Sequence, residues 1–192
     1  FVGKIVNVDE ELSEEKELVQ RAENDMLTGV LNKKTMEKRV SLMLKNRGDK
    51  YVIFYMVDLD NFKNVNDTLG HIYGDQAIVE TAQCLNKVFA NQDCIGRLGG
   101  DEFAVCVSYQ AFDEQGLLEF IGKKAQEICA GNRRTYTDNA ASVSITSSIG
   151  VAYAPDMGDS FTELYTQADC ALYYSKANGK DQYHIYSPKD DN

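Results

Sequence analysis

Seven apolar residues in a row, Tyr51-Val52-Ile53-Phe54-Tyr55-Met56-Val57, constrain this chain more than any other feature. The run has the length of a strand and is rich in aromatic and β-branched side chains. It lacks the polar alternation of a half-exposed strand, so it is expected as a central strand covered on both faces. Asp58-Leu59-Asp60 follows directly. Burying the run therefore brings carboxylates out at its C-terminal edge.

The flanking patterns supply the covers. Lys33 to Asn46 carries Met36, Val40, Met43 and Leu44 at helical spacing. A short helix is predicted near Phe62 to Leu69, and a longer one from about Tyr73 to Ala90 with Ile78, Val79, Ala82, Leu85 and Phe89 on one face. Cys94 to Leu98 and Glu102 to Ser108 read as strands joined across Gly99-Gly100, a pair that tolerates the positive φ of a tight hairpin. Phe112 to Ala130 is amphipathic, Ser142 to Ala152 alternates as a strand does, and Phe161, Leu164, Tyr165, Ala168 and Leu172 mark a last helix ending before Gly179. A terminal strand is expected near Tyr183 to Tyr186. The order implies an α/β (α+β) domain built on one mixed sheet.

Upstream, Phe1 to Asp9 alternates like a strand, and Glu10 to Asn24 is charged and helix-forming, with Leu12, Val19 and Met26 seven apart. That stretch reads either as a coiled-coil linker or as a solvated helix. A polar loop from Asp25 to Asn32 follows.

A chain of 192 residues suits one well-buried core. Its 30 acidic against 20 basic side chains give a formal charge of −10. Such a surface repels nucleic acid and anionic lipid, and neither is expected as a partner. A nucleoside triphosphate stays admissible, provided a divalent cation and a few lysines neutralise it locally. Five cysteines, widely spaced and without a C-x-x-C pair, read as buried, reduced thiols of a cytoplasmic protein. No apolar run approaches the roughly 20 residues that cross a bilayer.

Two acidic clusters stand out: Asp58 with Asp60 after the apolar run, and Asp101 with Glu102 at the Gly-Gly hairpin. If the two strands are neighbours, these carboxylates meet at one sheet edge. Hard oxygens so grouped suit magnesium, whose octahedral shell is completed by phosphate and water. Backbone bare of side chains at Gly99 and Gly100 would let a triphosphate approach.

The string Arg97-Leu98-Gly99-Gly100-Asp101-Glu102-Phe103 resembles the defining motif of the GGDEF family of diguanylate cyclases. The resemblance extends through Asp25-Met26-Leu27-Thr28-Gly29, Asp58-Leu59-Asp60-Asn61-Phe62-Lys63, Asn66-Asp67, Gly70-His71, Gly74-Asp75, and Ala168-Asp169 by way of Leu172-Tyr173 to Lys176. It implies a mixed, mostly antiparallel sheet with a βαββαβ core, of the kind seen in nucleotidyl cyclases and polymerase palms. It also implies an enzyme that condenses two GTP into cyclic di-GMP. Asp58, the Leu59 carbonyl, Asp101 and Glu102 would hold magnesium, or manganese. Asp101, Glu102 and Lys176 would serve catalysis. Asn66 and Asp75 would read guanine, with helix capping as their bland alternative. Lys63, Lys176 and Lys180 would meet phosphate, with Gly99, Gly100 and Phe62 lining the substrate. Arg97 either pairs with Asp25 or reaches a phosphate.

Members of that family work as homodimers under an upstream sensory domain. By resemblance, residues 1–9 are the end of a PAS-type module, 10–24 a helical linker, 25–187 the cyclase domain and 188–192 a tail. Two departures matter. Lys180 stands where an arginine is usual, which keeps charge but loses a bidentate fork. The R-x-x-D product-inhibition site reads Ala90-Asn91-Gln92-Asp93, without its arginine, so tight feedback binding is not expected.

Overall fold

The computed structural model describes residues 18–89, 93–138 and 141–191. Its elements, in order, are β1 (Leu31–Asn32), α1 (Lys33–Lys45), β2 (Tyr51–Asp60), α2 (Phe62–Leu69), α3 (His71–Val88), β3 (Cys94–Gly99), β4 (Glu102–Tyr109), α4 (Glu114–Asn132), β5 (Arg134–Thr137), β6 (Ser142–Ala154), α5 (Phe161–Ala177) and β7 (Tyr183–Ile185). The strands form a seven-stranded sheet in the order β1-β3-β4-β2-β6-β5, with β7 added alongside β6. β2 runs antiparallel to both neighbours, and only the short β1 and β7 pair in parallel. The mixed, mostly antiparallel sheet anticipated above is therefore present.

The apolar run does what its composition demands. Every residue from Val52 to Val57 is wholly buried, and alternate side chains enter different cores. Ile53, Tyr55 and Val57 pack with Ile78, Ala82 and Leu85 of α3 and with Leu117 and Ile121 of α4. Val52, Phe54 and Met56 pack with Met36 and Val40 of α1 and with Leu164, Ala168 and Leu172 of α5. Two helical layers thus clasp one sheet, and at roughly 1.5–3 kcal/mol for each large side chain buried, β2 anchors the domain. A third cluster, Leu59, Val65, Ala77, Tyr136, Val143 and Ile145, continues the core beneath α2 to the far end of the sheet.

The helix starts follow local chemistry more than apolar spacing. Asn32 caps α1 by accepting from the Thr35 amide at 3.0 Å. The helix expected from Phe112 begins at Glu114 instead, because Asp113 accepts from the Gly116 amide at 2.7 Å. Ser160 and Glu163 form a reciprocal capping box on α5. Each such cap contributes about 1 kcal/mol. α3 starts at His71 rather than Tyr73.

One strand escaped the sequence reading. β5 is only four residues long and carries two threonines, yet it pairs with β6 and hangs on hydroxyl contacts Thr135–Ser144 at 2.9 Å and Thr137–Ser142 at 2.8 Å. The cysteine expectation needs one correction: four are buried, but Cys170 is half-exposed on α5.

Residues 18–23 are helical, which is all of the expected linker helix that can be described. Leu12, the strand-like segment from Phe1 to Asp9, and Ala90 of the product-inhibition motif lie outside the described residues. Among those described, no helix is long and apolar enough to cross a membrane.

Candidate functional site

Strand pairing brings the two acidic clusters together. Asp58 and Glu102 are direct cross-strand partners at the last rung of the β2–β4 ladder, and Asp101 sits one residue further into the turn. β2 runs two residues beyond that rung, pairing only with β6, so the Leu59 backbone lies beside the hairpin tip with no strand on the β4 side. A shift in register marks the tip, where Gly99 pairs with Glu102, and Gly100 takes φ 51°, a left-handed conformation that any side chain would strain.

The electrostatics of this edge favour a cation. The Asp58 side chain is 10% exposed, and burial pushes its carboxyl up to about 6; Lys176 pulls the other way, while Asp101 and Glu102 add repulsion. Lys176 Nζ stands 2.9 Å from Asp58 Oδ2. Asp101 and Glu102 make no side-chain hydrogen bond or ion pair among the described residues. Three carboxylates against one lysine leave an excess of negative charge on hard oxygen donors, and that set fits a divalent ion such as magnesium. No three His, Cys, Asp or Glu side chains among the described residues form a ready-made cage. Phosphate and water would complete the shell, as magnesium ordinarily requires.

Arg97 resolves into the first of its two readings. Its Nη1 contacts both Asp25 carboxylate oxygens at 3.2 Å, while Nε and Nη2 donate to the Gly100 carbonyl at 2.9 and 2.7 Å. Three nitrogens of the guanidinium thus tie the loop at Asp25 to the hairpin. Burial pushes the Asp25 carboxyl up, but hydrogen bonds from Thr28 and the Arg97 charge prevail and hold it below the usual aspartate value.

Asp60 also parts company with Asp58. It is buried and accepts from Thr146 Oγ1 at 2.7 Å, Ser148 Oγ at 2.8 Å and the Asp181 amide at 3.1 Å. Those three bonds engage its carboxylate with β6 and the Asp181 amide, unlike that of Asp58. Lys180, exposed and at φ 63°, donates to Asn61 Oδ1 at 3.3 Å.

Asn66 and Asp75 do not cap helices. The α2–α3 junction is closed by backbone, with the Gly70 amide bonded to the Asn66 carbonyl at 3.0 Å, and Gly70 offers α3 no side-chain cap. The Asn66 amide group instead lies across Gly74, where an added Cβ would collide with its Oδ1. Asn66 is half-buried, Asp75 exposed, and neither side chain has a hydrogen-bond partner among the described residues. Lys63 is exposed on the first turn of α2. Phe62, grouped with substrate contacts on resemblance, packs half-buried where the core under α3 and α4 meets the cluster beneath α2. Asp93 lines a cavity of ≈ 360 Å³ with Asn24, Arg39 and Asn86, away from these residues. The sequence reading missed Asn61, Arg133 and Asp181, which hold the Lys180 turn; the left-handed Asn61 and the Gly179 beside Lys180 are the local signals of that turn.

A mostly antiparallel sheet that delivers carboxylates from its central strand and from the adjoining hairpin has the layout of the nucleotidyl-cyclase palm. Comparison narrows this further. The family described as "Diguanylate cyclase, GGDEF domain" matches residues 22–182, and the chain belongs to that family. The coiled coil and GGDEF domain of DgcB from Caulobacter crescentus, solved in complex with c-di-GMP, superposes with a TM-score of 0.80 at 28% identity, covering 92% of each chain. The bifunctional diguanylate cyclase/cyclic di-GMP phosphodiesterase MucR of Pseudomonas aeruginosa is 33% identical over 89% of this chain and 24% of its own length. The cyclic di-GMP phosphodiesterase PdeR of Escherichia coli is 29% identical over 95% of this chain and 27% of its own. The chain thus spans about a quarter of the length of these curated relatives.

Proposed function

We infer that the chain is a diguanylate cyclase domain, joining two GTP into one cyclic di-GMP. The observation that carries this reading is the meeting of Asp58, Asp101 and Glu102 at one sheet edge with Lys176 at 2.9 Å from Asp58. A magnesium ion held by Asp58, the Leu59 carbonyl, Asp101 and Glu102 would polarise the α-phosphate and stabilise departing pyrophosphate. Lys176, Lys63 and Lys180 would meet the remaining phosphate charge. Gly99 and Gly100 present bare backbone to the same group.

Selection of guanine falls to Asn66 and Asp75. A carboxylate at Asp75 accepts from both N1–H and the 2-amino group of guanine, whereas adenine offers neither donor there. Among the described residues both side chains stand without hydrogen-bond partners, which a ligand contact would remedy.

The chemistry balances over two domains. Each 3′-hydroxyl attacks the α-phosphate of the other GTP, forming two P–O bonds, breaking two α–β anhydrides and releasing two pyrophosphates and two protons. One site holds one GTP, so a homodimer must bring two sites face to face, with residues 10–24 as the linker and an upstream sensory domain governing the encounter.

A second reading draws on the phosphodiesterase relatives: a GGDEF domain that binds GTP without turnover and regulates an attached enzyme. Incubating the purified chain, as such and as a forced dimer, with GTP, ATP and magnesium decides between them by mass of product. Cyclic di-GMP that vanishes in Asp101→Ala supports the first reading. Binding without product supports the second, and a mixed dinucleotide overturns the guanine assignment.

A further inference from the structure

The turn after α5 is held in an unfavourable shape. Gly179, Lys180 and Asp181 follow one another at φ 113°, 63° and 49°, and two of these three are not glycine. Left-handed backbone is unfavourable at an ordinary residue, so other contacts must impose this conformation. Two contacts do so. Asp60 Oδ2 accepts the Asp181 amide at 3.1 Å from one side. From the other, Arg133 Nε, at the end of α4, donates to Asp181 Oδ2 at 2.7 Å. Asp60 is itself fixed by Thr146 and Ser148 of β6, so the turn is referenced to the sheet.

What the turn presents is Lys180. Its ammonium donates to Oδ1 of Asn61, the residue next to Asp60 and two beyond Leu59. A freely jointed lysine at the end of a helix would sweep a wide volume and lose much of its rotamer freedom on meeting a phosphate. Lys180 is instead delivered to the C-terminal end of β2. We propose that Asp60 and Arg133 are positioning residues: by clamping Asp181 from two sides they hold the left-handed turn that aims Lys180 at the triphosphate.

The inference rests on the GTP-binding reading above, and neither Asp60 nor Arg133 is assigned contact with substrate. It separates two acids that look alike in sequence. Asp58 serves the cation, and Asp60, two residues on, serves the lysine.

The test is a double-mutant cycle on binding, not turnover. 3′-Deoxy-GTP lacks the attacking hydroxyl, so its affinity with magnesium is measurable by calorimetry without reaction, and guanosine serves as a probe without phosphate. Lys180→Ala is expected to weaken 3′-deoxy-GTP about tenfold, equivalent to about 1.4 kcal/mol. Asp60→Asn is expected to weaken it nearly as much, and the double variant no more than Lys180→Ala alone. Guanosine affinity is expected to stay unchanged throughout. Since Arg133 is 57% exposed, Arg133→Ala should fold normally and supplies the same cycle if Asp60→Asn does not fold.

Additive losses, about a hundredfold in the double variant, overturn the clamp while leaving the GTP reading in place. So does an equal loss of guanosine, which marks a merely structural role. A wild-type chain that binds no 3′-deoxy-GTP sinks the reading beneath it and the clamp together.

Discussion

Lys176 Nζ lies 2.9 Å from Asp58 Oδ2, and this ion pair spans from the last turn of α5 to the last shared rung of β2 and β4. The lysine occupies the place a cation would dispute. On the function proposed above, a metal taken up by the carboxylates with its nucleotide would free Lys176 from Asp58 to meet a phosphate. Lys176→Met should therefore cost about 10²–10³-fold in cyclic di-GMP formation, the scale of losing one electrostatic donor to a developing anion. Chromatographic assay of product at saturating GTP measures it, and a rate within a few-fold of wild type refutes the assignment.

Asp58 also predicts a pH signature in the protein without nucleotide. Burial, reinforced by Asp101 and Glu102 and opposed by Lys176, raises its carboxyl from 3.8 to about 6. The folded chain then holds this proton more tightly than the unfolded one. The contribution to stability is full below 3.8, falls as pH rises from there through about 6, and levels off above. Relative to Asp58→Asn, wild type should lose on the order of 2–3 kcal/mol across that window. Urea unfolding of both chains at several pH values checks the slope; parallel curves would contradict it.

How far these features could be read in advance depends on their range. The βα framework followed from apolar spacing because Tyr51 to Val57 could be buried in only one way, and the meeting of Asp58 with Glu102 then needed only that β2 and β4 be neighbours. The partition of Asp58 from Asp60 did not follow, since both sit on the same side of a strand. What divides them is Thr146, Ser148 and the Asp181 amide, which arrive from 86 to 121 residues away in sequence. Short β5 was missed for the same reason: its strand character resides in hydroxyl pairing with β6, not in its own four residues. The role of Arg97 was open until Gly100 offered its carbonyl.

Gly74 should act on nucleotide binding through the position of Asn66. The Asn66 amide rests where a Cβ on residue 74 would stand, so the Asn66 side chain must move to admit one. Gly74→Ala is expected to displace Asn66 while leaving α3 intact, since alanine favours helix by about 1 kcal/mol over glycine. GTP should bind about tenfold more weakly, the worth of one good hydrogen-bonding contact, and preference for GTP over ATP should narrow. Competition binding with both nucleotides, alongside a circular-dichroism melt, separates the effect from unfolding.

The tie between Arg97 and Asp25 makes the last prediction. Arg97 bonds to Asp25 with one nitrogen and to Gly100 with two, and a lysine has a single ammonium that cannot span both. Arg97→Lys should lower stability by about 1–2 kcal/mol, and Arg97→Ala by about 2–3 kcal/mol, short of a fully buried pair because the side chains keep 15% and 24% of their exposure. Asp25 is held below its ordinary value by Thr28 and Arg97 against the upward push of burial. Its contribution is thus present above 3.8 and disappears as pH falls through the lower folded value. Acid unfolding followed by tyrosine fluorescence should show a shallower decline in Arg97→Ala than in wild type. The hairpin tip carries Asp101, so the same variants should also raise the magnesium concentration needed for half-maximal 3′-deoxy-GTP binding. If stability falls with no change in that concentration, the tie braces the fold without orienting the hairpin.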